Sequence, residues 1–254
     1  MKVIALTYDY DLTKLSEIGR TWAGDIYKNK EFIFDYSAAS YATFIDKNPT
    51  KILDLYTDDI PLITEKMNQY NIDQSRINYH DFTSVLKKYA NEMKYSFDVL
   101  TDFIYYGKSQ TEFTLKIDND LVFHGEVPEP SGNNDVYVWK FERLVFQGDP
   151  LMGEIKVAEQ TLETTNFPIY NLGIFGLPVV YPEQETRELI DKMTSVDISD
   201  VTDLDTKIWH CCEQTANNWI FRKYKYNVNV MFNYVTHLYD NKGGCIEAAK
   251  YLKK

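Results

Sequence analysis

Short apolar runs that stop abruptly at polar clusters recur through the first half of the chain. Residues 2–7 (KVIALT) are apolar and partly β-branched, and they give way to Tyr8, Asp9, Tyr10 and Asp11. This reads as a buried strand whose C-terminal end enters a loop. Residues 51–56 (KILDLY) repeat the pattern and end in Thr57, Asp58 and Asp59. Residues 112–117 (EFTLKI) do so again, running into Asp118, Asn119 and Asp120 before 121–123 resume the apolar run. Helical spacings lie between these runs. Leu12, Leu15, Ile18 and Trp22 predict a helix over 12–27. Pro61 suits the first turn of a helix continuing over 62–70. Val85, Tyr89, Met93, Phe97, Leu100 and Ile104 form a core-facing stripe over 82–106.

In the second half, 128–134 (PEPSGNN) is the clearest loop. Residues 136–146 alternate as a strand, and 168–178 (PIYNLGIFGLP) are apolar and punctuated by glycine. Helices are predicted over 183–193 and 206–221, a strand over 226–234, and a closing helix over 246–252. Strands alternating with helices predict an α/β fold, a mainly parallel central sheet flanked by helices. Such sheets bind ligands outside the carboxyl ends of their strands, near a topological switch point. The polar clusters after Thr7, Tyr56 and Ile117 all fall at such ends. No internal repeat or linker divides the chain, so one domain over 1–254 is expected.

Composition narrows the function classes. A chain of 254 residues can bury a sizeable core. The formal net charge of −11 argues against a generic nucleic-acid binder. The charge is uneven, however. From 206 to 254 eight basic residues oppose three acidic ones, a net of +5 that leaves −16 on the rest. A basic segment on an acidic body fits phosphate recognition. Twenty tyrosines supply a core and also surfaces suited to sugars and bases. Three cysteines give no disulfide framework and point to a reducing compartment. The consecutive His210, Cys211 and Cys212 lack zinc-ligand spacing. With no leader-like start and no run of membrane-spanning length, a cytoplasmic protein is expected.

Four groups of residues carry candidate chemistry. Asp118 and Asp120 interrupt a run that otherwise reads as buried strand. Two unpaired buried carboxylates are costly, and a hard divalent cation, Mn²⁺ or Mg²⁺, removes that cost because it prefers oxygen ligands. Asn171 followed by Gly173 and Gly176 in an apolar run points to close backbone approach. Glu213 and Gln214 lie in a helix rich in apolar neighbours. His237 and Lys242 put an imidazole and a cation beside a glycine pair, Gly243-Gly244, after a strand.

In this order the pieces resemble the GT-A-type glycosyltransferases, above all small bacterial and viral members. The resemblance rests on Thr7-Tyr8, on Tyr56-Thr57-Asp58, on the D-x-D of Asp118-Asn119-Asp120, on the N-x-G-x-F-G of Asn171 to Gly176, on Glu213-Gln214, and on His237 with Lys242. It implies a single Rossmann-like GT-A domain, with residues 1–123 as the nucleotide-binding half and 124–254 as the acceptor-binding half. It implies transfer of a sugar from a nucleoside-diphosphate sugar, UDP by default, to an acceptor hydroxyl, with Mn²⁺ or Mg²⁺ as cofactor. Asp120, Asp118 and His237 would be the metal ligands. Thr7, Tyr8, Asp58, Asp118, Asn119 and Lys242 would bind the nucleotide-sugar. Asn171, Gly173, Phe175 and Gln214 would line the sugar and acceptor side. Glu213 would be the general base if the reaction inverts configuration, or would position substrate if it retains it. The acceptor stays open between a glycan and a modified DNA base of a virus. The competing readings are a nucleotidyltransferase, disfavoured by a first loop without glycine, a metal-dependent nuclease, and a non-catalytic nucleotide-sugar or carbohydrate-binding protein.

Overall fold

A computed structural model describes residues 1–9, 29–86, 103–144, 152–162, 166–197, 212–238 and 241–254. Among these, seven strands form a central sheet in the order β10-β6-β9-β4-β1-β2-β3. The members are β1 (Lys2–Thr7), β2 (Leu53–Thr57), β3 (Ile77–Asp81), β4 (Thr114–Ile117), β6 (Asp135–Val138), β9 (Ile174–Leu177) and β10 (Asn227–Val230). The β1–β2, β2–β3, β1–β4 and β6–β10 pairs are parallel, and only β9 runs antiparallel to its neighbours β4 and β6. The expected mainly parallel α/β sheet is what forms. Strands β4, β6 and β9 are buried along their length and β1 nearly so, as unbroken apolar runs require, while the edge strands β3 and β10 are largely exposed or half-buried.

The order 3-2-1-4 is that of a doubly wound sheet. The chain winds outward from β1 through β2 to β3, then returns to place β4 on the other side of β1. Diverging connections at that point open a crevice beyond the C-terminal ends of β1 and β4. The loop after Thr7 and the turn after Ile117 therefore leave the sheet side by side.

Two smaller pairings frame this crevice. β5 (Leu121–Phe123) pairs antiparallel with β11 (Val235–His237), and β7 (Phe141–Leu144) pairs with β8 (Pro168–Tyr170). The predicted strand over 136–146 is thus two strands, broken at Trp139 and Lys140 because the second leaves the central sheet. The predicted strand over 226–234 likewise stops at Val230, and a turn leads to a separate β11 that carries His237.

Helix α1 (Lys30–Lys47) was not legible in the sequence pattern, and neither was β3. Residues Ile33, Phe34 and Tyr36 to Ile45 of α1 are all buried, so no polar face alternates with the apolar one. The helix packs on β5, on α2 (Ile60–Met67) and on the C-terminal α6 (Gly243–Ala248). Its small polar residues face a backbone edge. Ser40 Oγ accepts from Leu121 N–H and Thr43 Oγ1 from Phe123 N–H, both at 3.1 Å. Asn48 Oδ1 accepts from Val127 N–H at 2.8 Å. These bonds satisfy the edge of β5 that β11 leaves unpaired. Helices α3 (Met152–Thr161), α4 (Glu183–Thr194) and α5 (Cys212–Lys223) and two 3₁₀ turns, Gln74–Arg76 and Lys250–Leu252, are also described. The predicted helix over 12–27 with Trp22, the middle of the 82–106 helix, and His210 and Cys211 lie outside the described residues.

Candidate metal and nucleotide-sugar site

The turn between β4 and β5 holds Asp118, Asn119 and Asp120. It is pinned from both sides: Asp118 N–H donates to Gly173 O, and Leu238 N–H donates to Asp120 O, each at 2.9 Å. Strand pairing sets His237 opposite Leu121, one residue from Asp120. Ligand atoms of Asp118, Asp120 and His237 consequently lie within 4.8 Å of one another. Backbone hydrogen bonds bring three segments distant in sequence together here.

Charge is dense and buried at this point. Asp120 is 3% exposed and Lys242, at the start of α6, is 5% exposed. Lys242 Nζ pairs with Asp120 Oδ2 and lies 5.4 Å from the centre of the Tyr36 ring. His237 Nε2 stands 2.9 Å from Asp120 Oδ1, yet that oxygen has no aligned hydrogen-bond partner among the described residues. Burial pushes the Asp120 carboxyl up, and the cationic neighbours His237 and Lys242 outweigh it, holding it well below the usual carboxylate range. Asp118 is partly exposed and pairs with Lys116, whose side chain runs along β4 in the same direction.

Two carboxylates and an imidazole, with one buried carboxylate oxygen left unsatisfied, fit a divalent cation of the Mn²⁺ or Mg²⁺ class. The triad drawn from the sequence is brought together.

The crevice beside it holds the predicted nucleotide residues. Tyr41 of α1 donates to Leu6 O at 3.1 Å, so at 2.8 Å its oxygen receives the Thr7 hydroxyl proton. Tyr8 is buried. Asp9 N–H donates to Asp58 Oδ2 at 3.1 Å, which ties the loop after β1 to the end of β2. Asp58 Oδ1 and Asn119 Nδ2 are buried without a hydrogen-bond partner among the described residues. Burial raises the Asp58 carboxyl above its ordinary value. Buried polar atoms without partners are rare, and Asn119 lies inside the acidic turn itself.

This topology has counterparts among solved structures. The fold is similar to that of the galactosyltransferase LgtC. The structure of LgtC in complex with donor and acceptor sugar analogues matches at a TM-score of 0.53 and 11% identity, over 100% of this chain and 97% of that one. An active-site glutamine-to-glutamate mutant of LgtC matches over the same shares at 0.51 and 11%. No family model and no curated protein matches the sequence. The chain thus has a GT-A-type glycosyltransferase fold, as the order of its motifs implied.

The glycine-punctuated segment forms the opposite wall. A Cβ on Gly173 would lie 2.7 Å from His237 Nδ1, so only glycine lets the imidazole sit against this backbone. Asn171 Oδ1 contacts His237 Nδ1 at 3.2 Å. Phe175 lies away from the acids, 4% exposed in the core with its ring 6.0 Å from that of Phe221. On α5, Gln214 reaches the segment: its Oε1 accepts from Leu172 N–H at 3.3 Å. Glu213 precedes it at partial exposure, and its carbonyl accepts from Asn217.

Three residues in this wall escaped the sequence reading. Lys116 had a signal, a lysine inside a buried strand two positions before Asp118. Trp139, whose ring meets that of His237 edge-on at 5.1 Å, and Glu142, which binds both Asn171 and Gln214, had none. A cavity of about 520 Å³ between Phe113, Ser131 and Val179 lies at the opposite end of β4 and plays no part in this site.

Proposed function

We propose that this chain transfers a sugar from a nucleoside-diphosphate sugar to an acceptor hydroxyl. The observation that carries the reading is the convergence of Asp118, Asp120 and His237 at the crevice of the 3-2-1-4 sheet. Residues 1–123 would serve the nucleotide and 124–254 the acceptor. The unpartnered Asp58 Oδ1 is an acceptor suited to a ribose hydroxyl or base N–H, and Asn119 Nδ2 is a matching donor. Thr7 and Tyr8 would line the nucleotide side. Asp118, Asp120 and His237 would hold Mn²⁺ or Mg²⁺, whose chemistry is to offset charge on a leaving diphosphate.

Lys242 would donate to a phosphate oxygen once Asp120 is otherwise engaged. Asn171 and Gln214 would orient the sugar, with Gly173 giving close backbone approach and Phe175 supporting that wall from the core. Glu213 would take the acceptor proton in an inverting reaction and position substrate in a retaining one.

The test is a thermal-shift panel of nucleoside diphosphates and their sugars, each with Mn²⁺, Mg²⁺ or EDTA. A ligand bound to the native state raises its apparent stability. A shift for one nucleoside diphosphate, UDP being the first choice, and only with metal, is the expected result. Labelled-sugar transfer to oligosaccharides and to hydroxymethylated DNA then identifies the acceptor. Folded protein that shifts with none of the panel sinks the proposal. Donor binding without transfer or hydrolysis would leave a binding protein.

A further inference from the structure

We propose that Glu142 is a positioning residue that acts through Asn171 to fix the proton of His237 on Nδ1 and aim Nε2 at the acidic cluster. The inference rests on the metal-site reading above, but its geometry stands on the chain alone.

The argument begins at the Asn171 amide. Its Oδ1 accepts from Gly173 N–H at 2.8 Å, and its Nδ2 donates to Glu142 Oε1 at 2.8 Å. A flipped amide would set N–H against N–H at Gly173 and oxygen against carboxylate at Glu142. Only one orientation is therefore compatible with both neighbours. That orientation turns Oδ1, an acceptor only, toward His237 Nδ1 at 3.2 Å. Nδ1 must carry the proton, and Nε2 is then the ring nitrogen that faces the cluster, 2.9 Å from Asp120 Oδ1.

Glu142 is itself held. Gln214 Nε2 donates to Glu142 Oε2 at 3.1 Å, while Gln214 Oε1 is occupied by Leu172 N–H. A hydrogen-bonded chain thus runs from α5 through Glu142 and Asn171 to the imidazole. Partners that orient a ligating histidine in this way typically change metal affinity 10- to 100-fold when lost.

The chain predicts a reciprocal rescue. E142Q alone brings two amide donors together at Gln214 or at Asn171. N171D alone sets two carboxylates against each other. In N171D/E142Q the new amide can donate to the new carboxylate and still accept from Gln214, so every bond is restored and only the one between residues 171 and 142 reverses direction.

Two measurements on the full chain test this. In the metal-free protein, long-range ¹H–¹⁵N correlations should show His237 protonated at Nδ1 in wild type and in N171D/E142Q, and a loss of that state in E142Q. Mn²⁺ affinity, followed by the free-ion paramagnetic resonance signal, should fall about 10- to 100-fold in E142Q and N171D. In the double variant it should return to within about threefold of wild type, given that linked polar groups are strongly non-additive. A wild-type ring bare at Nδ1 overturns the proposal. So does a double variant no better than the singles, with melting temperatures confirming that all are folded. If the ring state follows Glu142 while no variant binds Mn²⁺, the positioning role stands and the metal reading falls.

Discussion

Asp120 concentrates the residue-scale chemistry. The sequence alone predicts that D120N abolishes transfer with little change in melting temperature. The structure revises the second half, because Lys242 is buried with Asp120 as its partner. Removing one member of a buried pair costs about 3–5 kcal/mol. D120N should therefore lose activity and also melt lower, and adding K242M should restore part of the stability but none of the activity. Calorimetry of the two variants without metal decides this, and equal melting of D120N and wild type would show the pair to be dispensable. At Gly173 the expectation is steric. G173A would drive its methyl into His237, at the overpacking cost of about 1–3 kcal/mol. It should weaken Mn²⁺ binding more than stability, and unaltered Mn²⁺ affinity would refute the close-approach account.

At the scale of elements, the site depends on how α1 grips β5. That strand has β11 on one edge and helix side chains on the other. S40A leaves the Leu121 N–H without an acceptor in a buried place, a loss of about 1–3 kcal/mol. Urea unfolding should report a lower midpoint at constant slope. Because Leu121 follows Asp120 directly, donor binding should weaken as well. A stable variant with normal donor binding would mean that β11 alone holds the turn.

For the whole molecule, pH dependence follows from groups the fold has desolvated. Burial holds the hydroxyls of Tyr56, Tyr70 and Tyr137 up at about 12. Their folded values exceed the unfolded value near 10, so their contribution is complete below about pH 10 and is lost as pH rises toward 12. Asp120 has the opposite sign. Its folded value is depressed, so its contribution is in place above about pH 4 and disappears as pH falls through the lower folded value. Melting temperature measured in EDTA should fall on both flanks, and a flat profile above pH 10 would contradict the burial of these tyrosines.

Much of this was legible in the residues themselves. The runs 2–7, 51–56 and 112–117 announced strands because a short, largely apolar segment bounded by polar clusters has few other fates. Polar clusters at their ends marked the side of the proposed site because strand polarity and the parallel sheet decide it jointly. Asp118 and Asp120 stood out because carboxylates inside an apolar run need a reason to be there. Helix α1 did not stand out, since a helix buried on all sides carries no periodic signal. Glu142 could not stand out either. Its environment comes from Asn171 and Gln214, which lie 29 and 72 residues away. Local pattern determined where β1, β2 and β4 form, though not β3, and at which end of the sheet the proposed site lies. Only the tertiary structure decided which side chains meet there, because hydrogen bonding between distant segments, and not spacing along the chain, sets those distances.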